Sequence, residues 1–321
     1  MLVEQDSDLF TRIVGRYLRV DDITLGSERQ SYLVRYRGEL LGDSAEAYDG
    51  LAAALGPYDV TPLFRKDKGQ AVVLLMRGKL NPQPSNPWVN LVLFSLTVIS
   101  VLYAGALFSY SGPAPTSPAE SFLLPLRHLG DGVPFGVSML AILLAHEFGH
   151  YLVARYHKTY VTLPYFIPLP ISPLGTMGAA ILMKEPPKNR RILLDIGLAG
   201  PVAGLVVAIP VLLLGLSLSK VEPLPVSMAG NFQVEGNSIL YLLAKYLVFQ
   251  QWLPAPADYG GLSPLVYWVR YFFTGLPAPL GGMDVIIHPV AWAGWAGLLV
   301  TSLNLVPVGQ LDGGQITNAI F

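Results

Sequence analysis

The sequence predicts a polytopic α-helical membrane protein, with about four transmembrane helices plus a re-entrant hairpin or loop, behind a small α+β N-terminal domain. Three observations carry this. Only 13% of the 321 residues are charged, against about 25% in soluble domains, and the mean hydropathy is +0.47. Uncharged apolar runs recur after residue 87, each near the ~20 residues needed to cross ~30 Å of hydrocarbon. Strand-like alternation and turn signals crowd into residues 1–80 instead. The net charge of −1, without a basic stripe interleaved with aromatics, argues against nucleic acid as a partner and leaves the lipid bilayer as the expected surrounding. The absence of cysteine excludes disulfides, thiolate metal sites and cysteine nucleophiles. Any metal must be held by nitrogen and oxygen.

Residues 1–80 read as a soluble β-α-β-β module. "MLVEQDSDLF" carries neither a signal nor a transit pattern, so the chain is expected to begin on the side where it is made. Ser31–Arg37 reads as a strand. Asp43 with Glu46 forms a capping box that opens a helix, and Gly56-Pro57 stops it. Asp59–Phe64 and Gln70–Met76 follow as strands. Asn81–Pro87, "NPQPSNP", is a stiff linker, and residues 88–321 form the membrane domain.

The spans are expected at Trp88–Tyr110, about Val133–Tyr156, about Ile192–Leu218, and from near Val285 into "NLVPVGQLDGG". Leu163–Glu185 is apolar but too rich in proline and glycine to span, which makes it the re-entrant hairpin or loop. Asn237–Trp252 reads as an interfacial helix, with a short extra span as the alternative. Arg77 and Lys79 precede span one, only Arg127 lies between spans one and two, and Arg155, Lys158, Lys184, Lys188, Arg190 and Arg191 lie between spans two and three. By the positive-inside rule the N-terminal module and the second loop are inside. His146–His150 and Asp312 then fall at one depth, near the inner face.

The chemistry is concentrated in "LLAHEFGH". His146 and His150, four residues apart, project from one helix face and suit one tetrahedral Zn²⁺. Glu147 would stand beside the open coordination position, where a carboxylate acts as general base toward a water polarised by the ion. A histidine merely hydrogen-bonded in the bundle is the plainer alternative, but ionisable groups inside spans are costly and usually functional. A catalytic zinc needs a third protein ligand. His128 lies in the outer loop and His157 at the inner surface. His288 is separated from Asp312 by 24 residues of expected helix, roughly 36 Å. Asp195 and Asp312 both lie near inner span ends. Asp312 is favoured because Pro307, Gly309, Gly313 and Gly314 surround it with irregular backbone of the kind that lines cavities. Asp195, readable as a helix-start residue, stays open as the alternative.

"HEFGH" in one span and "NLVPVGQLDGG" in a later one resemble the site-2 protease family of intramembrane zinc metalloproteases. "DIGLAGPVAG" and "HPVAWAGWAGLLVTSLNLVPVGQLDGG" are similar to its bacterial and plastid branch with a soluble N-terminal module. The resemblance covers about Val133–Phe321, and the first module matches only in length and placement. It implies Zn²⁺ held by His146, His150 and Asp312, with Glu147 as catalytic base. Asn304 would lie near the site and help hold the substrate or oxyanion, a helix-packing hydrogen bond being its alternative. Gly200-Pro201 is followed by Val-Ala-Gly, whereas many members of the family it resembles carry an asparagine shortly after the Gly-Pro, which weakens the expectation of a polar contact from span three. The chain ends at Phe321, where relatives often continue.

The implied activity is hydrolysis of peptide bonds within or near transmembrane segments of single-span or other membrane proteins. Such a substrate must be locally unwound, and Gly175–Met183 would offer it a strand edge, with Gly175 and Thr176 as candidate substrate-binding residues. A loop packed under the bundle is the alternative for this segment. Two competing functions use the same residues. A divalent-metal transporter leaves the placement of Glu147 unexplained, and an inactive relative that binds membrane clients leaves the intact HExxH unexplained. The expected location is a bacterial inner (plasma) membrane with N-terminus and site toward the cytoplasm, a plastid membrane being the alternative.

Overall fold

A computed structural model describes residues 2–26, 32–67, 69–78, 85–185, 187–226, 235–276 and 279–321. Most of the expected linker, residues 81–84, lies outside them. The chain divides into two compact units. One comprises Met1–Ser85, His157–Val161 and Met183–Leu193, and the other Asn86–Tyr156, Thr162–Leu182 and Leu194–Phe321.

In the first unit, α1 (Leu2–Val14) and β1 (Leu18–Leu25) precede the expected elements β2 (Val34–Leu40), α2 (Ser44–Leu55), β3 (Val60–Asp67) and β4 (Gln70–Arg77). The order is therefore α-β-β-α-β-β. The strands form an antiparallel sheet in the order β1-β2-β4-β3. Asp43 caps α2 by accepting from the Ala45 and Glu46 amides at 2.8 and 3.3 Å, which satisfies two of the donors a helix start leaves open. Phe10, Ile13 and Val14 of α1 recur at helical spacing and are buried with Leu51 and Leu55 against Val34, Tyr36, Val73 and Leu75 of the sheet. This unit also takes in two pieces of the loop between spans two and three. Val161 bridges Met183, the Tyr160 amide donates to Glu185 at 2.9 Å, and Lys188 pairs with Asp49 at 2.7 Å.

In the second unit, three helices among the described residues are long and apolar enough to cross a membrane: α3 (Pro87–Ser109), α5 (Val133–Tyr156) and α6 (Arg190–Ser217). Short α4 (Pro118–Arg127) separates the first two. The proline-rich segment forms a two-stranded antiparallel hairpin, β5 (Tyr165–Pro168) with β6 (Thr176–Ala180). Helix α3 gives its depth. Asn90 donates to the carbonyls of Leu163 and Pro164 at 3.0 and 2.9 Å, and Ser100 donates to the Gly175 carbonyl at 2.5 Å. Ten helical residues rise about 15 Å, so the hairpin follows α3 for about half a hydrocarbon core.

Strands β7 (Lys220–Pro223) and β8 (Met283–Ile286) pair antiparallel, with α7 (Ile239–Phe249) and α8 (Pro264–Thr274) between them in sequence. At 11 residues, α7 is about 16 Å long, too short for the extra span weighed above. The fourth expected span is not one continuous helix. Residues 285–286 belong to β8, and His288 caps α9 (Pro289–Asn304), accepting the Val290 amide at 3.2 Å. Helix α9 has only 16 residues, about 24 Å. The chain then breaks through Pro307 and Gly309 before α10 (Asp312–Ile320) begins. The 36 Å helical separation of His288 from Asp312 therefore does not exist. His288 stays outside the site as a helix cap.

Candidate metal and catalytic centre

Along α5 the buried residues Met139, Ile142, Leu143, His146, Glu147 and His150 recur at spacings of three and one. This is a single helical stripe. The two imidazoles and the carboxylate continue the face that the apolar residues begin, so the same periodicity that packs the helix carries the polar groups inward.

Asp312 reaches them from the first turn of α10. Its Oδ2 lies 3.1 Å from His146 Nε2 and its Oδ1 lies 3.2 Å from His150 Nε2. The two Nε2 atoms are 3.3 Å apart. One ligand atom from each residue lies within 4.8 Å of the others. The sequence explains the approach, because a β-carbon at Gly313 or Gly314 would overlap the carbonyls of Leu305 and Gly309. The two glycines let α10 tuck against the broken segment. Asp195 is exposed on α6 and outside the convergent group.

Helix α6 shapes the centre through its backbone. His150 Nδ1–H donates to the Ile196 carbonyl at 2.7 Å, which leaves Nε2 of the neutral ring as the lone-pair nitrogen. A β-carbon at Gly200 would collide with the His150 imidazole, and one at Gly204 would lie 3.2 Å from His146 Nδ1. Sequence reasoning, which looked for a polar side chain in "GLAGPVAG", missed this role. The glycine spacing beside the Gly-Pro pair was the available signal. A nitrogen–nitrogen–oxygen donor set with a tautomer-fixing second contact fits Zn²⁺ with coordination positions left open.

Asn304, the last residue of α9, places Nδ2 3.3 Å from His146 Nε2. It also borders a cavity of about 60 Å³ lined by His146, Glu147, Met177, Gly178, Ala179 and Thr301 among others, with room for water. The strand residues at this cavity are Met177–Ala179. Gly175 and Thr176 sit at the turn end of the hairpin. Gly175 packs against the α3 backbone at Ser100 and Val101. The Thr176 hydroxyl donates to Ile167 O at 2.9 Å and accepts the Gly178 amide at 3.0 Å. Gly178 itself has φ +97°, a conformation open to glycine at little cost. The second edge of β6 carries no strand partner among the described residues.

Fold and cluster together define a class: a helical membrane unit enclosing a convergent two-histidine, one-aspartate set beside a buried glutamate. The profile of peptidase family M50 matches residues 134–321, and the chain belongs to that family, which is the site-2 protease family its motifs resemble. Over 262 residues it is 32% identical to the probable zinc metalloprotease EGY1, chloroplastic, of Arabidopsis thaliana, covering 77% of this chain and 43% of that protein. The rice (Oryza sativa subsp. japonica) EGY1 is 30% identical over 267 residues, 77% of this chain and 41% of its own. The Arabidopsis thaliana probable zinc metalloprotease EGY2, chloroplastic, is 27% identical over 297 residues, 90% and 47% respectively. The chain thus spans less than half the length of these relatives. No solved structure matches it.

Proposed function

We propose that this chain is an intramembrane zinc metalloprotease that hydrolyses peptide bonds within or near the transmembrane segments of single-span or other membrane proteins. One observation carries the reading: the ligand atoms of His146, His150 and Asp312 converge while Glu147 lines the adjoining cavity. These three residues would hold Zn²⁺, which supplies Lewis-acid polarisation of water and carbonyl when bound. Glu147 takes a proton from the attacking water and returns it to the leaving nitrogen. The Asn304 amide, a donor at the same cavity, is placed to meet charge developing on the carbonyl oxygen. The Ile196 carbonyl holds the His150 ring in the required tautomer.

An intact helix hides its carbonyls in its own hydrogen bonds, so the substrate must bind extended. The unpaired edge of β6 at Met177–Ala179 would receive it as an added strand. Helix α9 serves as the fourth membrane segment, shortened and completed by the irregular chain before Asp312. The N-terminal unit and the site face the side from which the chain is inserted. The relatives are chloroplastic by name, which fits a plastid membrane and lends no support to a bacterial inner one.

The test is cleavage of a single-span substrate by purified protein in proteoliposomes. Glu147→Gln should lose cleavage and keep its metal. Metal transport by Glu147→Gln, or wild-type indifference to chelators, would reject the reading. Single backbone N-methylation around the scissile bond should block cleavage at alternate positions, as strand pairing demands. A uniform response would dismiss the β6 edge.

A further inference from the structure

The hairpin borders two spaces. Strand β6 faces the small cavity beside His146, whereas the turn Pro170–Pro173 walls a second pocket of about 430 Å³ completed by Tyr103, Leu107, Phe108, Phe122 and Trp292. This volume lies within the ~300–1,000 Å³ range of ligand sites. Its walls are aromatic. Phe108 stacks on Trp292 with centroids 5.4 Å apart, and Trp292 stacks on Trp295 at 4.8 Å. Both hydroxyls in the lining are engaged: the Tyr103 hydroxyl donates to Phe122 O at 3.3 Å, and Ser172 Oγ donates to Thr176 O and accepts the Leu174 amide at 3.3 and 3.2 Å. The lining is mostly apolar, with Ile171 87% exposed at the turn.

We propose that this pocket is an exosite for a bulky apolar side chain of the substrate's transmembrane segment. The proposal rests on the proteolytic reading and adds the substrate determinant. The occupant follows from continuity, because one short hairpin is wall to both spaces. A chain lying along β6 advances about 10 Å from Gly178 to Gly175, and Ser172–Gly175 is a turn closed by the Gly175 amide on the Ser172 carbonyl at 2.9 Å, whose ends lie within about 7 Å. A side chain roughly three to five residues from the scissile bond therefore seats between the turn, Phe108 and Trp292. A lipid tail would fill the pocket without any such register.

The experiment scans one phenylalanine through an otherwise alanine- and leucine-built single-span substrate, three to ten residues from the cleaved bond, using the full chain in proteoliposomes. Wild type should show KM at least about tenfold lower for phenylalanine at one position roughly three to five residues from the bond, on one side of it. Leu107→Trp, which fills the rim, should erase the difference between that substrate and its neighbours. A flat wild-type profile overturns the exosite and, if cleavage instead follows bilayer acyl length, assigns the pocket to lipid. A preference that survives both Leu107→Trp and Trp292→Ala also overturns it. If Leu107→Trp fails to fold, the wild-type scan still decides. Cleavage of no substrate in the series, at any position, defeats the proteolytic reading itself and the exosite with it.

Discussion

Beside α7 and β8, Lys245 is fully buried, yet its ammonium lies 3.4 Å from Asp284 Oδ1 and 4.6 Å from the centre of the Tyr241 ring. Tyr241 in turn donates to Glu235 at 2.7 Å. Between α5 and α10, His146, His150 and Asp312 are also largely withdrawn from solvent, but they bring two imidazole nitrogens and a carboxylate to one point. The first cluster contains its own cation, Lys245, set against the carboxyl groups of Asp284 and Glu235 within the chain. The second offers only ligand atoms, and an ion would supply the cation it lacks. Burial alone does not separate a structural polar cluster from a functional one. The sign of what converges does.

The comparison is broken most severely at Glu147. Glu147→Gln should lower cleavage by about 10²–10⁴-fold with metal content unchanged, read by peptide release and elemental analysis of the same sample. In the other cluster, Lys245→Met removes the internal cation and strands Asp284 and Glu235. It should destabilise the fold by about 3–5 kcal/mol, measured by denaturation, while the folded fraction keeps its metal. Gly200→Ala drives a methyl group into the His150 ring and should weaken metal affinity by about 10–100-fold, the range seen for disturbed supporting contacts. Gly204→Ala, with its looser 3.2 Å contact, should cost less. Competition with a zinc chelator ranks the two.

The smallest effect sharpens the contrast by pH. Burial pushes the Glu235 carboxyl above its ordinary range, against the opposing pull of Lys245. The folded state therefore holds this proton more tightly than the unfolded one. Its contribution to stability is complete below the ordinary carboxylate pKa and is lost as pH rises through the folded value. Glu235→Gln should flatten that decline in pH-dependent melting and leave metal binding alone.

Much of this was legible in the sequence. The HExxH spacing fits only one helix face, and the buried stripe of α5 places it inward. Proline and glycine in Leu163–Glu185 rule out a span and leave a hairpin or a loop, and the pairing of β5 with β6 makes it a hairpin. Other features were hidden for physical reasons. Strand β1 carries a bulge between Val20 and Asp22, which breaks the two-residue period a strand is read by. Among its described side chains, helix α1 buries Phe10, Ile13 and Val14, with Leu9 partly buried, and it carries acidic residues in sequence beside them, a stripe easily read as a polar terminus. The apolar run after Val285 looked like one helix because hydropathy does not register the strand β8, the cap at His288 or the break after Asn304. The support from α6 is hard to read because it comes from the Ile196 carbonyl and from missing side chains, whose trace in the sequence is the spacing of Gly200 and Gly204.

The central claim is that one ion is gripped by two imidazoles and one carboxylate drawn from distant parts of the chain. X-ray absorption at the zinc edge, on purified protein and on Asp312→Asn and His150→Ala, tests it most directly. The account predicts a light-atom shell with two imidazole scattering patterns in the wild type, one in His150→Ala, and an altered oxygen shell with weakened binding in Asp312→Asn. Spectra and affinities unchanged by either substitution would contradict it.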